Sequence, residues 1–304
     1  MGVSYVHSKS IAIFLRALIK QSSSRRRTVI EPSKPTSTNQ LERKQKQPSP
    51  VLINFCGSGF VLHTFGSDDE YCRFIADWTN YTVIDVQYRL APENPFPAAF
   101  NDAEDVVTWV RSQPESFDIH SLSLSGFSAG ANIALAVLSS SSPFCQKDGT
   151  NVFLTVMSFY GPVDMALPTP QKPQADPSNF IMRKIFPTLS HLCHKCLNFT
   201  SVDPNYHRLS PLFADAGNFP PNVLIMTAPQ DPFAIEAERL ADKIRSVEKK
   251  VVVCNRMDGC AHGWDKEAVR GTSQCKAKDD AYKLAASMLQ RAENEVNGSR
   301  KTEV

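Results

Sequence analysis

The sequence predicts an α/β fold, a mostly parallel central sheet flanked by helices and completed by a helical cap. Apolar runs of strand length alternate with helix-length stretches from Val51 onward, the rhythm of a parallel sheet wrapped by helices. The interval 162–210 breaks that rhythm with several prolines and few strand signals, which predicts an insertion serving as the cap. No linker interrupts the pattern after Val51, so the 304 residues, 42% of them hydrophobic, are expected to bury one large core rather than two.

Taken in order, Val51-Leu52-Ile53-Asn54-Phe55 is the first central strand, followed by a helix over 68–78, a strand near 81–88 and a helix over 98–112. Leu122-Ser123-Leu124-Ser125 is a short buried strand, and the apolar helix beginning at Ala131 follows it. Asn222 to Ala228 and Val251 to Met257 are strands, each trailed by a helix, at 234–247 and 277–296. Residues 28–49 are rich in Lys, Gln, Pro and Ser with almost no alternation, which predicts a truncated sheet edge. The expected organisation is a basic arm with a cap helix over 1–50, a catalytic domain over 51–296 and a tail over 297–304.

Gly126-Phe127-Ser128-Ala129-Gly130 sits where the buried strand meets the apolar helix. Glycines flanking a serine at two residues on each side let strand and helix approach closely while the hydroxyl is held out on a strained turn. Ser128 is therefore the candidate nucleophile. A serine needs a histidine to take its proton and a carboxylate to orient that histidine, in the chain order Ser, Asp or Glu, His. Asp231, just past the strand ending at Ala228, supplies the acid; its alternative role is an Asp-Pro turn capping the next helix. His262, in the loop Asp258-Gly259-Cys260-Ala261-His262-Gly263 after the last strand, supplies the base, the alternative being a plain loop residue. A tetrahedral intermediate also needs backbone N–H donors. Ala129 is one, and Gly57 and Ser58 in the loop Cys56-Gly57-Ser58-Gly59-Phe60 are the others. That loop has neither the lysine of a phosphate-binding loop nor dinucleotide-fingerprint spacing, which argues against nucleotide binding.

These residues resemble the hormone-sensitive-lipase-like branch of the α/β-hydrolases, and in particular its fungal members, some of which serve secondary-metabolite and toxin clusters. The resemblance runs from about 51 to about 266. It rests on Cys56-Gly57-Ser58-Gly59-Phe60, Tyr88-Arg89-Leu90-Ala91-Pro92-Glu93 with Pro95-Phe96-Pro97-Ala98-Ala99, the pentapeptide around Ser128, Asp231-Pro232 and His262-Gly263. It implies an α/β-hydrolase fold, a triad of Ser128, Asp231 and His262, an oxyanion hole of Gly57, Ser58 and Ala129, and no cofactor or metal. Three departures stand out. Cys56 replaces the histidine that opens the oxyanion loop, and a thiol is a weaker donor than an imidazole, so a looser loop is expected. Ser58 occupies a glycine position. Phe127 replaces the aspartate before the nucleophile. Cys56, Gly59, Phe60 and Phe127 are expected to line the substrate pocket.

Charge is uneven. Residues 1–50 hold ten Lys or Arg against two Asp or Glu, and the remainder 23 against 29. Without interleaved aromatics or a binding module, this arm does not predict nucleic-acid binding. Ile11-Ala12-Ile13-Phe14-Leu15 is too short for a transmembrane span, so no stable membrane insertion is expected. Eight scattered cysteines without a secretory signal predict a reducing, cytoplasmic location. The acid-free first thirty residues leave a mitochondrial location as the main alternative, and a peroxisomal one is kept although Thr302-Glu303-Val304 is not a peroxisomal tripeptide. His191-Leu192-Cys193-His194-Lys195-Cys196 has metal-ligand spacing but no second pair at zinc-finger distance, so a cap helix is preferred. The expected activity is hydrolysis of a small or medium acyl ester through an acyl-enzyme, placed by the resemblance in fungal secondary metabolism. Amide or lactone hydrolysis, or a catalytically weakened binding protein, are the alternatives.

Overall fold

Val51, Leu52, Ile53 and Phe55 form a near-continuous apolar run, the pattern of a strand covered on both faces. In the computed structural model, which describes residues 48–139, 146–147, 150–266 and 268–302, that run is interior to a six-stranded sheet and its side chains are fully buried. The strands are β1 (Ser49–Phe55), β2 (Thr82–Val86), β3 (Phe117–Phe127), β4 (Phe153–Phe159), β5 (Asn222–Thr227) and β6 (Val251–Arg256). Their order is β2-β1-β3-β4-β5-β6, with every neighbouring pair parallel. The chain steps outward from β1 to β2 and then returns past β1 to β3. This reversal makes the carboxyl ends of β1 and β3 the topological switch point, where open α/β sheets place their ligands.

Helices α1 (Asp69–Trp78), α2 (Ala98–Arg111), α3 (Ala129–Ser139), α4 (Phe186–Leu197), α5 (Ala234–Arg245) and α6 (Ser273–Thr302) surround the sheet. Alternate strand residues point to opposite faces, and the two faces collect different helices. On one, Leu52, Val83, Met157, Leu224 and Met226 meet the α1 stripe Tyr71, Cys72 and Ile75 and the α6 stripe Tyr282, Ala285 and Leu289. On the other, Val51, Ile53, Leu124, Val156 and Ile225 meet Phe100, Ala103 and Val107 of α2, Ala129 and 133–138 of α3, and Leu240 and Ile244 of α5. Each large side chain buried here contributes about 1.5–3 kcal/mol. α3 is buried on every side, which explains why its sequence is apolar without a polar stripe.

β4 was absent from the sequence expectations, because the buried polar residues Thr155 and Ser158 interrupt its apolar run. β3 begins five residues earlier than its apolar core at Leu122. Within 162–210 the chain makes a 3-10 turn at Thr169–Gln171, a π turn at Ile181–Ile185 and then α4, which ends at Asn198 in a left-handed conformation. α4 buries Cys193, Cys196 and Leu197 against the sheet's α2–α3 side. Expectations for the basic arm, its helix and residues 28–47 fall outside the described residues. Among the described residues no helix is long and apolar enough to cross a membrane.

Candidate active site

β3 ends at Phe127 and α3 begins at Ala129, so Ser128 is the single residue turning strand into helix. Its φ of 51° lies in the left-handed region that non-glycine residues avoid, a strain of about 1–3 kcal/mol. The surroundings hold it there. Its N–H donates to the Phe159 carbonyl at 2.9 Å, and its carbonyl accepts the Asn132 N–H at 3.2 Å, opening α3. A Cβ on Gly126 would lie 2.3 Å from the Gly130 carbonyl oxygen, and one on Gly130 would lie 1.9 Å from the Phe55 carbonyl oxygen. Both obstacles are backbone, so only glycine fits either position.

Loops after β5 and β6 bring two further groups to this turn. Ser128 Oγ is 2.9 Å from His262 Nε2, and His262 Nδ1 is 2.8 Å from Asp231 Oδ2. A carboxylate only accepts, so the proton between His262 and Asp231 sits on Nδ1, leaving Nε2 as the acceptor facing the serine hydroxyl. Asp231 is fully buried, and its other oxygen accepts the Phe233 N–H at 2.9 Å ahead of α5. The turn-forming role weighed as an alternative is thus performed by one oxygen while the other meets the imidazole. Tyr160, Phe186 and Phe233 wall the imidazole, with ring centroids 4.8, 4.5 and 5.4 Å from it.

The loop after β1 lies beside the serine: a Cβ on Gly57 would be 3.4 Å from Ser128 Cβ. Its carbonyls are fastened by two hydroxyls and by backbone N–H groups. Tyr88 Oη donates to the Cys56 carbonyl at 2.6 Å. With its one hydrogen committed there, Tyr88 accepts from Ser58 Oγ at 2.6 Å, and Ser58 Oγ in turn accepts the Phe60 N–H at 2.9 Å. Thr64 Oγ1 donates to the Gly57 carbonyl, and the Leu62 N–H to that of Ser58 at 2.8 Å. A loop expected to be loosened by Cys56 is instead tied through Tyr88 and Ser58. In sequence Tyr88 stands out only as part of the 88–93 motif, since nothing local reveals a contact thirty residues away.

The pocket expectations need correction at three side chains. Phe127 is fully buried on the α1–α6 face, stacked on Phe159 at 4.4 Å, with Lys266 Nζ 3.6 Å over its ring. As the last residue of β3 it follows the strand's alternation inward, while Ser128 turns out. Phe60 is buried with its ring 6.1 Å from Phe100, and the Cys56 thiol is buried and pushed up by desolvation first and by Asp68 and Asp85 next. Gly59, at φ 55°, has room for no Cβ without crowding Cys193 Sγ at 3.2 Å, so it brings α4 close to the loop.

Polar groups hidden from any sequence pattern underlie the site. Tyr160 Oη and Tyr282 Oη donate to Asp265 at 2.6 and 2.8 Å, and Lys266 pairs with both Asp265 and Asp68 at 2.8 Å. Asn54 Nδ2 donates to Asp68 at 3.1 Å and to Asp85 at 2.8 Å. Burial, seconded by Asp68, pushes the Asp85 carboxyl up to about 7. Beyond Asp231, Glu236 pairs with buried Lys172 and accepts the Val163 N–H at 2.8 Å, and Lys172 lies 5.0 Å over the Phe233 ring. Among the described residues, no three His, Cys, Asp or Glu side chains gather as metal ligands.

A parallel sheet with a serine on a glycine-flanked turn, meeting a histidine and an aspartate from later loops, defines the class: an α/β-hydrolase. Residues 52–266 match the alpha/beta hydrolase fold family, and the chain belongs to it. Among curated proteins it is 33% identical over 126 residues to the 3-O-acetylpapaveroxine carboxylesterase of Papaver somniferum, covering 34% of this chain and 39% of that one. It is 27% identical over 227 residues to the carboxylic ester hydrolase LipN of Mycobacterium tuberculosis, covering 72% and 59%. These alignments span less than two thirds of either relative's length. Among solved structures, the carboxylesterase EstE1 from a metagenomic library superposes with a TM-score of 0.68 at 26% identity, covering 81% of this chain and 82% of that one. These relatives are plant, bacterial and metagenomic, and none ties the chain to fungal metabolism.

Proposed function

We propose that this protein is a serine carboxylesterase acting through an acyl-enzyme on esters of small or medium acyl groups. The observation that carries the reading is the relay from Ser128 Oγ through His262 to buried Asp231, at 2.9 and 2.8 Å. Ser128 attacks the ester carbonyl as His262 Nε2 takes its proton. The oxyanion accepts from the backbone amides of Gly57, Ser58 and Ala129, worth about 3–4 kcal/mol per donor. His262 then protonates the leaving alcohol. Water deprotonated by the same nitrogen releases the acid and restores the serine. Asp231 keeps the imidazole in its working tautomer, and Glu236, engaged by Lys172, is not free to replace it.

The reading includes a catalytic domain over 51–296 with its cap near 162–210, a 297–304 tail whose residues to Thr302 continue α6, the basic 1–50 arm and a cytoplasmic location. A place in specialised metabolism is part of it: the poppy relative's name describes an acetyl ester of a plant product, and the sequence resemblance points to the fungal counterpart. The test is labelling by a fluorophosphonate probe together with turnover of p-nitrophenyl acetate and butyrate. Wild type labels and turns over, whereas Ser128→Ala loses both and His262→Ala and Asp231→Asn lose roughly 10³-fold or more in turnover. An unlabelled wild type would mean a binding protein, and labelling with turnover of amides or lactones alone would mean a different substrate class.

A further inference from the structure

We infer that Gln230 is a positioning residue: its side-chain amide clasps the turn at residues 176–179 to the acid loop, and so holds Phe186 as a wall over His262. The inference rests on the ester-hydrolase reading for its kinetic consequence. Gln230 precedes Asp231 directly, and its N–H donates to the Cys260 carbonyl, two residues before His262, at 3.3 Å. Its Nε2 donates to Asp176 Oδ2 at 3.2 Å and to Ser178 Oγ at 3.4 Å, while its Oε1 accepts from Asn179 Nδ2 at 3.1 Å. The Asp176 N–H donates to the Pro229 carbonyl at 2.7 Å. One residue therefore joins three segments: the acid loop, the histidine loop and the entry to the cap.

The orientation of the amide follows from its partners. Asp176, whose carboxyl is held below the usual range mainly by the Ser178 backbone N–H, only accepts, so the amide nitrogen faces it and the oxygen faces Asn179. From the clasp the chain continues without slack. Asn179 Oδ1 accepts the Ile181 N–H at 3.0 Å, and its carbonyl accepts the Arg183 N–H at 2.9 Å. The π turn at Ile181–Ile185 then runs directly into α4, whose first residue is Phe186. The Phe186 ring is 4.5 Å from the His262 ring and 5.9 Å from that of Phe233. Standing over His262, the ring bounds the space an ester carbonyl must enter to reach Ser128, and on this proposal it meets ester and transition state alike, so releasing it raises KM and leaves kcat in place.

Gln230→Glu sets a carboxylate against Asp176, and Gln230→Leu keeps the bulk while removing the bonds. KM for p-nitrophenyl butyrate rises about tenfold in each, the weight of one or two hydrogen bonds, while kcat stays within about threefold. Adding Asp176→Asn to Gln230→Glu supplies an amide donor to the new carboxylate and returns KM to within about threefold of wild type. Hydrogen–deuterium exchange across 180–190 reads the same clasp without turnover: it accelerates in both single variants and slows again in the double. Unchanged KM and exchange in the single variants, a fall in kcat alone, or a double variant no better than Gln230→Glu would overturn the inference. A wild type that neither labels nor hydrolyses esters would sink the ester-hydrolase reading instead, while the exchange results still decide the clasp.

Discussion

Tyr88→Phe removes one buried hydroxyl and leaves the ring. That hydroxyl joins the Cys56 carbonyl to Ser58 Oγ through two bonds of 2.6 Å, and the side chain is 4% exposed. Without it a carbonyl and a hydroxyl hydrogen lose their partners where water has little access. Each such loss costs about 1–3 kcal/mol, so with partial relaxation we expect about 2 kcal/mol of stability to go, a few degrees in Tm. The proposed oxyanion donors stay on the chain but lose their fastening, so the effect on turnover falls below the roughly 3–4 kcal/mol of a deleted donor. A fall in kcat of about 10- to 100-fold, or about 1.4–2.7 kcal/mol, is expected. KM should move little, since the loop is needed most when charge develops on the carbonyl oxygen. Steady-state kinetics on p-nitrophenyl butyrate beside a thermal melt measures both quantities. A variant with a lowered Tm but kcat within about twofold of wild type would refute the argument that the Tyr88 relay sets the loop.

Asp85→Asn should change how stability depends on pH. Burial lifts the carboxyl from 3.8 to about 7 in the folded protein, so between those values the folded state holds the proton that the unfolded chain has released. The group's contribution is therefore most favourable below pH 4, is lost as pH rises toward 7 and is flat above. Melting curves from pH 4 to 8 should show the variant gaining on wild type across that window, and a constant difference would sink the assignment. Gly130→Ala should give no soluble folded protein, because its Cβ would meet the Phe55 carbonyl oxygen at 1.9 Å; a normal far-UV spectrum and melt would show that β1 can yield.

Much of this architecture could be read from the chain because its signals are local. The pentapeptide at Ser128 carries its own turn, and the apolar runs at 51–55, 222–227 and 251–256 each form the strand they suggest. What escaped depends on distance or register. β4 hides behind Thr155 and Ser158, whose burial is a matter of position in the sheet. Phe127 reads as a pocket residue in sequence because Ser128 is its neighbour, yet strand alternation turns it to the opposite face. The Tyr88 relay, the Lys172–Glu236 pair and the Asp68–Lys266 pair join residues far apart in the chain. No window of sequence contains both ends of any of them.

The cation resting on Phe127 has a consequence for how variation in this protein would be felt. Lys266 belongs to the loop that carries the histidine, and Phe127 is one residue from the serine, so their contact at 3.6 Å gauges the spacing of the two groups from behind the sheet. Phe127 is fully buried on that side. Sequence drift in α1 and α6, where Tyr71 and Tyr282 touch the same aromatic cluster, is therefore constrained by the spacing of Ser128 and His262 as well as by packing. Tolerance to substitution should follow distance from this hidden contact, and not only distance from the mouth of the site.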